Sequence, residues 1–389
     1  MNLSFKSICQ SALLILAGVA SASESRLLLP EHCYAVPGIN MNVYFRNVFR
    51  AIRSDGYFYQ VECEKGDNMK DRWTFTPADS DIGTYDWKLT VYDDNGKVAQ
   101  GCMKLHVVPD RKDRNGLSIL IVGDSLTDQN HYVNRLHSVF PSLKMIGSHA
   151  GGGKIPVDGG IAHEGYGGWT WYNFVLEVKP VKPKRLSYRT NKFLLEKSDG
   201  KWVLDMKSYF GRVNGGKAPD FVTIQLGVND VIADTDATID GKIRKIGTYM
   251  DKLIGEIRKA APDAFIGIGL MPPAADQDAW GKGYHCKYNL YQYQKNAWKL
   301  NRFYMGKVKQ LSQKDSRISI IPSVLNMDAL NNFPAVMQPV NVHNPRKILR
   351  QNNAVHPARE GGAQMGDTFF CWIMWNLNAE AEKGKTDGN

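Results

Sequence analysis

Leu117-Ser118-Ile119-Leu120-Ile121-Val122-Gly123-Asp124-Ser125-Leu126-Thr127 is the stretch that decides the fold of this chain. Leu117 to Val122 is a short apolar run of the kind found in a strand covered on both faces. Gly123, Asp124 and Ser125 follow at once. From Asp128 through Phe140, the residues Val133, Leu136 and Phe140 then recur at helical spacing. Phe221-Val222-Thr223-Ile224-Gln225-Leu226 repeats the pattern, and the next helix carries Ile243, Ile246, Met250, Leu253 and Ile257 on one stripe. Phe265-Ile266-Gly267-Ile268-Gly269-Leu270 and Ile318-Ser319-Ile320-Ile321 predict further strands, with helical segments near 286–312 and 360–376. Strands alternating with helices predict a parallel sheet with right-handed crossovers, a three-layer α/β/α domain over residues 117–378. Its chemistry is expected beyond the carboxyl ends of the strands. The tail 379–389 is polar.

Upstream the periodicity changes. Over 24–108, Tyr57-Phe58-Tyr59-Gln60-Val61 and Arg72-Trp73-Thr74-Phe75 are short aromatic and β-branched runs, and Trp87, Leu89 and Val91 alternate with polar residues. Asp94-Asn95-Gly96 supplies a hairpin turn before the returning alternation of Met103, Leu105 and Val107. These short strands predict a small immunoglobulin-like β-sandwich. Carbohydrate binding and simple packing are both open roles for it. The charged stretch 109–116, ending in Gly116, reads as a linker.

At the amino terminus, Lys6 precedes the apolar run Ala12 to Val19, and Ala20-Ser21-Ala22 supplies the small residues of a cleavage site. Residues 1–22 are therefore expected to be a removed signal peptide, and the mature chain to be periplasmic or secreted with no membrane anchor. In an oxidising compartment, Cys33, Cys63, Cys102, Cys286 and Cys371 allow one or two disulfides, with Cys33 to Cys63 or Cys102 the expected pair. They form no zinc-type spacing.

The 389-residue chain is 43% hydrophobic and 23% charged, a globular composition, with a net charge of +10 that favours acidic partners. No nucleic-acid-binding motif occurs, and export argues against such a partner. Gly151-Gly152-Gly153-Lys154 lacks the spacing of a phosphate loop and has Ile155 where a magnesium-binding hydroxyl would stand, so it reads as a flexible rim segment. His131 and His137, like His149 and His163, are not at metal-ligand helix spacing. The run Lys179, Lys182, Lys184 and Arg185 reads as a solvated loop. Neither a metal nor a cofactor is expected.

Four segments fall where the fold predicts a site. Gly123-Asp124-Ser125-Leu126-Thr127 follows the first strand of the α/β domain, and His163-Glu164-Gly165-Tyr166-Gly167-Gly168-Trp169-Thr170 forms a glycine-rich loop. Gly227-Val228-Asn229-Asp230 ends another strand, and Asn353-Ala354-Val355-His356-Pro357 precedes the last helix. In this order they resemble the SGNH (GDSL-type) hydrolase family over residues 117 to about 378. The resemblance implies a serine hydrolase with Ser125 as nucleophile and His356 as its base. It implies an oxyanion hole made by the Ser125 N–H, the Gly168 N–H and the Asn229 side chain. Serine is a poor nucleophile without a base in hydrogen-bond reach, and acyl transfer needs donors aimed at the developing oxyanion.

The chain departs from the family at one position. An aspartate is expected three residues before the histidine, and Asn353 stands there. In the worked serine-protease case, replacing that aspartate by asparagine costs about 10⁴ in kcat through the wrong imidazole tautomer. Three readings stay open: Asn353 accepts the imidazole N–H, the histidine leans on another acceptor, or the site is feeble and the protein a carbohydrate binder.

The loop around Trp169 resembles that of bacterial acetylxylan esterase-like members. Tyr166, Trp169 and Trp171 are expected to offer flat faces to a sugar ring, and the insert 173–217 to wall the cleft. The expected substrate is an acylated polysaccharide or oligosaccharide losing O-acetyl or another short acyl group. A lipid esterase or thioesterase at the same site is the alternative enzyme.

Overall fold

The computed structural model describes residues 26–111, 115–181 and 187–386. The expected signal peptide 1–22, part of the 109–116 linker, Lys182 to Arg185 of the basic run and the end of the tail lie outside them. The chain divides into two compact units, one ending at Val108 and the other starting at Pro109.

In the first unit, the strands are β1 (His32–Ala35), β2 (Met41–Tyr44), β3 (Phe58–Glu62), β4 (Asp67–Asn68), β5 (Arg72–Phe75), β6 (Gly83–Asp93) and β7 (Gly96–Val107). They form two sheets, β1-β7-β6-β3 and β2-β5-β4, with β1 parallel to β7. This is an immunoglobulin-like strand order. Trp73 of β5 and Trp87 of β6 meet edge to face at 6.1 Å, and both are buried. The Tyr85 hydroxyl donates to the Asp81 carbonyl at 2.9 Å, four residues upstream, the corner hydrogen bond such sandwiches use where β6 begins. The expected pairing of Cys33 with Cys63 or Cys102 is not made: among the described residues these three thiols are free, as is Cys286. The buried Cys33 thiol instead donates to the Lys104 carbonyl at 3.5 Å.

The second unit is built on a parallel sheet. Its strands are β8 (Ser118–Gly123), β9 (Lys144–Ile146), β10 (Glu164–Gly165), β13 (Phe221–Gln225), β14 (Phe265–Gly269) and β15 (Ile318–Ile321), in the order β10-β8-β13-β14-β15 with β9 also on β8. Two hairpins, β11 (Leu194–Glu196) with β12 (Trp202–Leu204) and β16 (Ala335–Asn341) with β17 (Asn344–Gln351), lie outside the sheet. Every residue of β8, β13 and β14 is buried, as their apolar runs require.

Helices cover both faces. On one, Arg359–Thr386 packs along His131–Val139, and its Trp372 meets Phe221 of β13. The approach is close because Gly362 and Gly366 carry no side chain. A Cβ on Gly366 would stand 2.6 Å from Arg135 Cβ, and one on Gly362 would overlap His131. On the other face lie Trp171–Val175, Ile239–Ala260 and Leu290–Ser312, where Trp171 Nε1–H donates to the Tyr304 hydroxyl at 2.7 Å.

Three segments differ from the sequence reading. The helix expected from Asp128 to Phe140 is broken at Asn130, which takes φ +65°, so Ser125–Asp128 is a separate single turn. The last helix runs through Thr386, because Ala379, Glu380, Ala381, Glu382 and Lys383 favour helix and nothing there interrupts it. In the insert 173–217, Tyr209 and Phe210 are buried rather than offered to a cleft, while Tyr188 and Arg189 reach the Asp128 carboxylate beside the Ser125 turn.

Candidate active site

The sharp exit from β8 sets the site. Asp124 caps the turn Ser125–Asp128, its carboxylate accepting the Leu126 N–H at 2.9 Å. Ser125 is therefore the first helical residue, its N–H without an intrahelical acceptor. The loop between β17 and the last helix brings His356 to it across 231 residues of sequence, with Ser125 Oγ and His356 Nε2 2.8 Å apart. His356 Nδ1 lies 3.1 Å from Asn353 Oδ1. That oxygen also accepts the backbone N–H groups of His356 at 3.1 Å and Val355 at 3.4 Å. Two backbone donors fix which end of the Asn353 amide faces the ring. An acceptor there requires a proton on Nδ1, which leaves Nε2 to accept the Ser125 hydroxyl proton.

The glycine-rich loop continues from β10, which pairs with the end of β8 and sets Gly165 opposite Gly123. The N–H groups of Gly165 and Gly167 are committed, to His163 Nδ1 at 3.0 Å and to the Asp128 carboxylate at 3.3 Å. Gly168 is exposed, takes φ +83° and has open space where a Cβ would stand. Among the described residues its N–H meets no acceptor. Asn229, at the carboxyl end of β13, donates to the Trp169 carbonyl at 3.0 Å and approaches the Asp124 carboxylate at 3.5 Å.

Burial shapes the charges. Desolvation lowers the His356 pKa below 6.5, and the neighbouring His131 lowers it further, so the imidazole is neutral at neutral pH. Asp124 and Asp230 are both buried, and desolvation pushes each up to about 7. The Asp124 charge adds to the rise at Asp230, which also accepts the Trp171 N–H at 3.2 Å. Glu164 lies beneath the loop, raised by burial and held by Tyr166, by Tyr209 at 2.6 Å and by Ser148 at 2.6 Å from its N–H.

The aromatic expectation needs correction. Tyr166 and Trp171 are both 0% exposed and present no face to a ligand. Tyr166 is committed to Glu164 and Trp171 to Tyr304, so packing rather than recognition accounts for them. Trp169 alone of the three is partly exposed, its ring tilted 34° to Tyr166 with centroids 4.2 Å apart and edge-on to Phe174.

Sequence reasoning missed Asp128. Its carboxylate collects the Gly152 N–H at 2.7 Å, the Gly167 N–H and the Tyr188 hydroxyl at 2.9 Å, tying the rim glycines, the loop and the insert to the Ser125 turn. Its place three residues after Ser125, one helical turn on, is the signal that could have found it. Nothing in the sequence marks Tyr188 or Arg189, which arrive from the insert. His149 and His163, fourteen residues apart, meet edge to face at 4.6 Å, and among the described residues no group of three or more His, Cys, Asp or Glu could hold a metal.

Fold and site together define a serine ester hydrolase. The family model for GDSL-like Lipase/Acylhydrolase matches residues 119–369, and the chain belongs to that family. No curated protein matches the chain. Among solved structures, a carbohydrate esterase family 3 protein from Talaromyces cellulolyticus is 15% identical, with 68% of this chain and 99% of that one covered and a TM-score of 0.39. A family 3 carbohydrate esterase from Clostridium thermocellum is 17% identical (67% and 98% covered, TM-score 0.38). A family two carbohydrate esterase from the same organism, in complex with cellohexaose, is 14% identical (89% and 94% covered, TM-score 0.38). Likeness at this level carries no assignment of substrate.

Proposed function

We propose that the protein is an exported carbohydrate esterase that removes O-acetyl or another short acyl group from polysaccharide. The observation that carries the catalytic part is the unbroken hydrogen-bond path from Ser125 through His356 to Asn353. His356 Nε2 takes the hydroxyl proton as Ser125 Oγ attacks the ester carbonyl carbon. The tetrahedral oxyanion is met by the N–H of Ser125, the N–H of Gly168 and the Asn229 amide N–H that otherwise makes only the long 3.5 Å contact to Asp124. Collapse breaks the bond to the sugar oxygen, which leaves with the proton from His356. Water, deprotonated by the same imidazole, then releases the acid and restores Ser125.

The uncommitted N–H of Gly168 supports it, over Gly165 and Gly167, as the loop donor. The Asn353 geometry supports a working base over a disabled one. A partly exposed Trp169 beside the oxyanion loop supports stacking of a sugar ring. Export rests on the Lys6, Ala12–Val19 and Ala20-Ser21-Ala22 pattern. Among the described residues no helix is long and apolar enough to cross a membrane.

Acyl release from acetylated polysaccharide, 4-nitrophenyl acetate and a long-chain acyl ester, measured for wild type and Ser125→Ala, tests the reading. Wild type is expected to prefer acetyl, and Ser125→Ala to lose at least about 10³-fold in kcat. Undiminished turnover by Ser125→Ala removes the assigned nucleophile, and preference for the long chain selects a lipid esterase.

A further inference from the structure

We infer that Arg189 forms an anion-recognition subsite beside the oxyanion loop, which takes a carboxylate or sulfate carried on the sugar next to the scissile ester. The inference rests on the esterase reading above for its placement and deepens it by naming the substrate class.

Three observations carry it. Arg189 lies directly against the loop, since a Cβ on Gly167 would stand 2.5 Å from Arg189 Nη2. Gly167 immediately precedes Gly168, so the guanidinium borders the oxyanion position. The side chain is 28% exposed, reachable by a ligand yet partly desolvated, which strengthens a charged contact.

The guanidinium is also poorly satisfied. Of its five N–H donors, among the described residues Nε–H alone makes a hydrogen bond, a long one of 3.4 Å to the Tyr188 hydroxyl. Its one ion pair among the described residues is with Asp128 at 3.8 Å, beyond hydrogen-bond length. Asp128 already accepts the Gly152 N–H, the Gly167 N–H and the Tyr188 hydroxyl, and these partners rather than Arg189 hold its carboxylate at hydrogen-bond distance. Tyr188 passes the restraint on: it donates to Asp128, accepts from Arg189 and lies under the guanidinium at 5.7 Å. Arg189 is thus held in place from one side, while among the described residues its terminal N–H groups make no hydrogen bond and only the long ion pair to Asp128. A planar fork of donors matches the two oxygens of a carboxylate or of a sulfate edge.

The test is binding of a galacturonic-acid oligosaccharide, a sulfated oligosaccharide and a neutral xylo-oligosaccharide to the Ser125→Ala protein at low salt. Each is measured in the parent and with Arg189→Gln or Arg189→Lys added. At least one acidic ligand is expected to bind about tenfold or more tighter than the neutral one, and which one separates carboxylate from sulfate. Arg189→Gln is expected to erase that preference, and Arg189→Lys to retain part of it. Equal binding of acidic and neutral ligands by the parent overturns the subsite, as does a preference that survives Arg189→Gln. Because binding needs no turnover, an intact Arg189-dependent preference in a protein whose wild type releases no acyl group would leave the subsite standing and overturn the esterase reading alone.

Discussion

Asn353 Oδ1 lies 3.1 Å from both the ring Nδ1 and the backbone N of His356, so one oxygen holds the imidazole by its edge and its root together. The oxygen is an acceptor by virtue of its backbone donors. The tautomer lost in the aspartate-to-asparagine protease case is therefore kept here. What asparagine lacks is the charge that stabilises an imidazolium.

Asn353→Asp is accordingly expected to raise the His356 pKa and move the acid limb of kcat/KM to higher pH. In wild type burial lowers the His356 pKa, so that limb is expected on the acid side of an ordinary histidine. The variant is also expected to raise kcat by about tenfold, by stabilising the charged imidazole. pH–rate profiles on 4-nitrophenyl acetate would decide it, and an acid limb that stays in place would show that the carboxylate does not couple to the ring.

Asn229→Ala removes one of the three donors proposed for the oxyanion and is expected to lower kcat by about 10²–10³-fold with KM little changed. A loss confined to KM would instead assign Asn229 to ground-state binding.

Asp124 is pushed from 3.8 to about 7 by burial, so the folded state keeps a proton that the unfolded state loses. Its contribution is full at low pH and is lost as pH rises from about 4 to about 7. Asp124→Asn should remove that dependence, gaining stability over wild type on the order of 4 kcal/mol at pH 8 relative to pH 4. Urea denaturation at the two pH values measures it, and a gain independent of pH would contradict the buried acid.

Tyr209→Phe deletes a donor to the buried Glu164 while keeping the ring. A cost of about 1–3 kcal/mol is expected from the unpaired carboxylate oxygen. Unchanged thermal unfolding would mean another donor replaces the hydroxyl.

The sheet was legible because β8, β13 and β14 are buried on both sides, and such strands show themselves as unbroken apolar runs. The segments around Ser125 and His356 stood out by resemblance to the family's motifs, which are short and local, while their meeting across 231 residues is a product of the fold. Tyr166 and Trp171 were misread for a physical reason: aromatic residues beside a site look alike in sequence whether they face a ligand or, as here, Glu164 and Tyr304. The hairpin 335–351 was hidden by Pro339 and Pro345 and by its exposed alternation. Asp128 and Arg189 matter through partners drawn from distant segments, which no local pattern encodes.

The glycine pair at 362 and 366 has a consequence for how activity is acquired. His356 hangs on the loop that enters the last helix, and that helix seats on His131–Val139 only through the close approach those glycines permit. The Ser125–His356 bond therefore closes one of the longest loops in the chain, a step late in folding on entropic grounds. Hydrolytic activity then becomes a clock for the final docking event. During refolding it should return after compactness and far-ultraviolet circular dichroism have recovered, and a bulky residue at Gly366 should widen that delay before it alters the finished site.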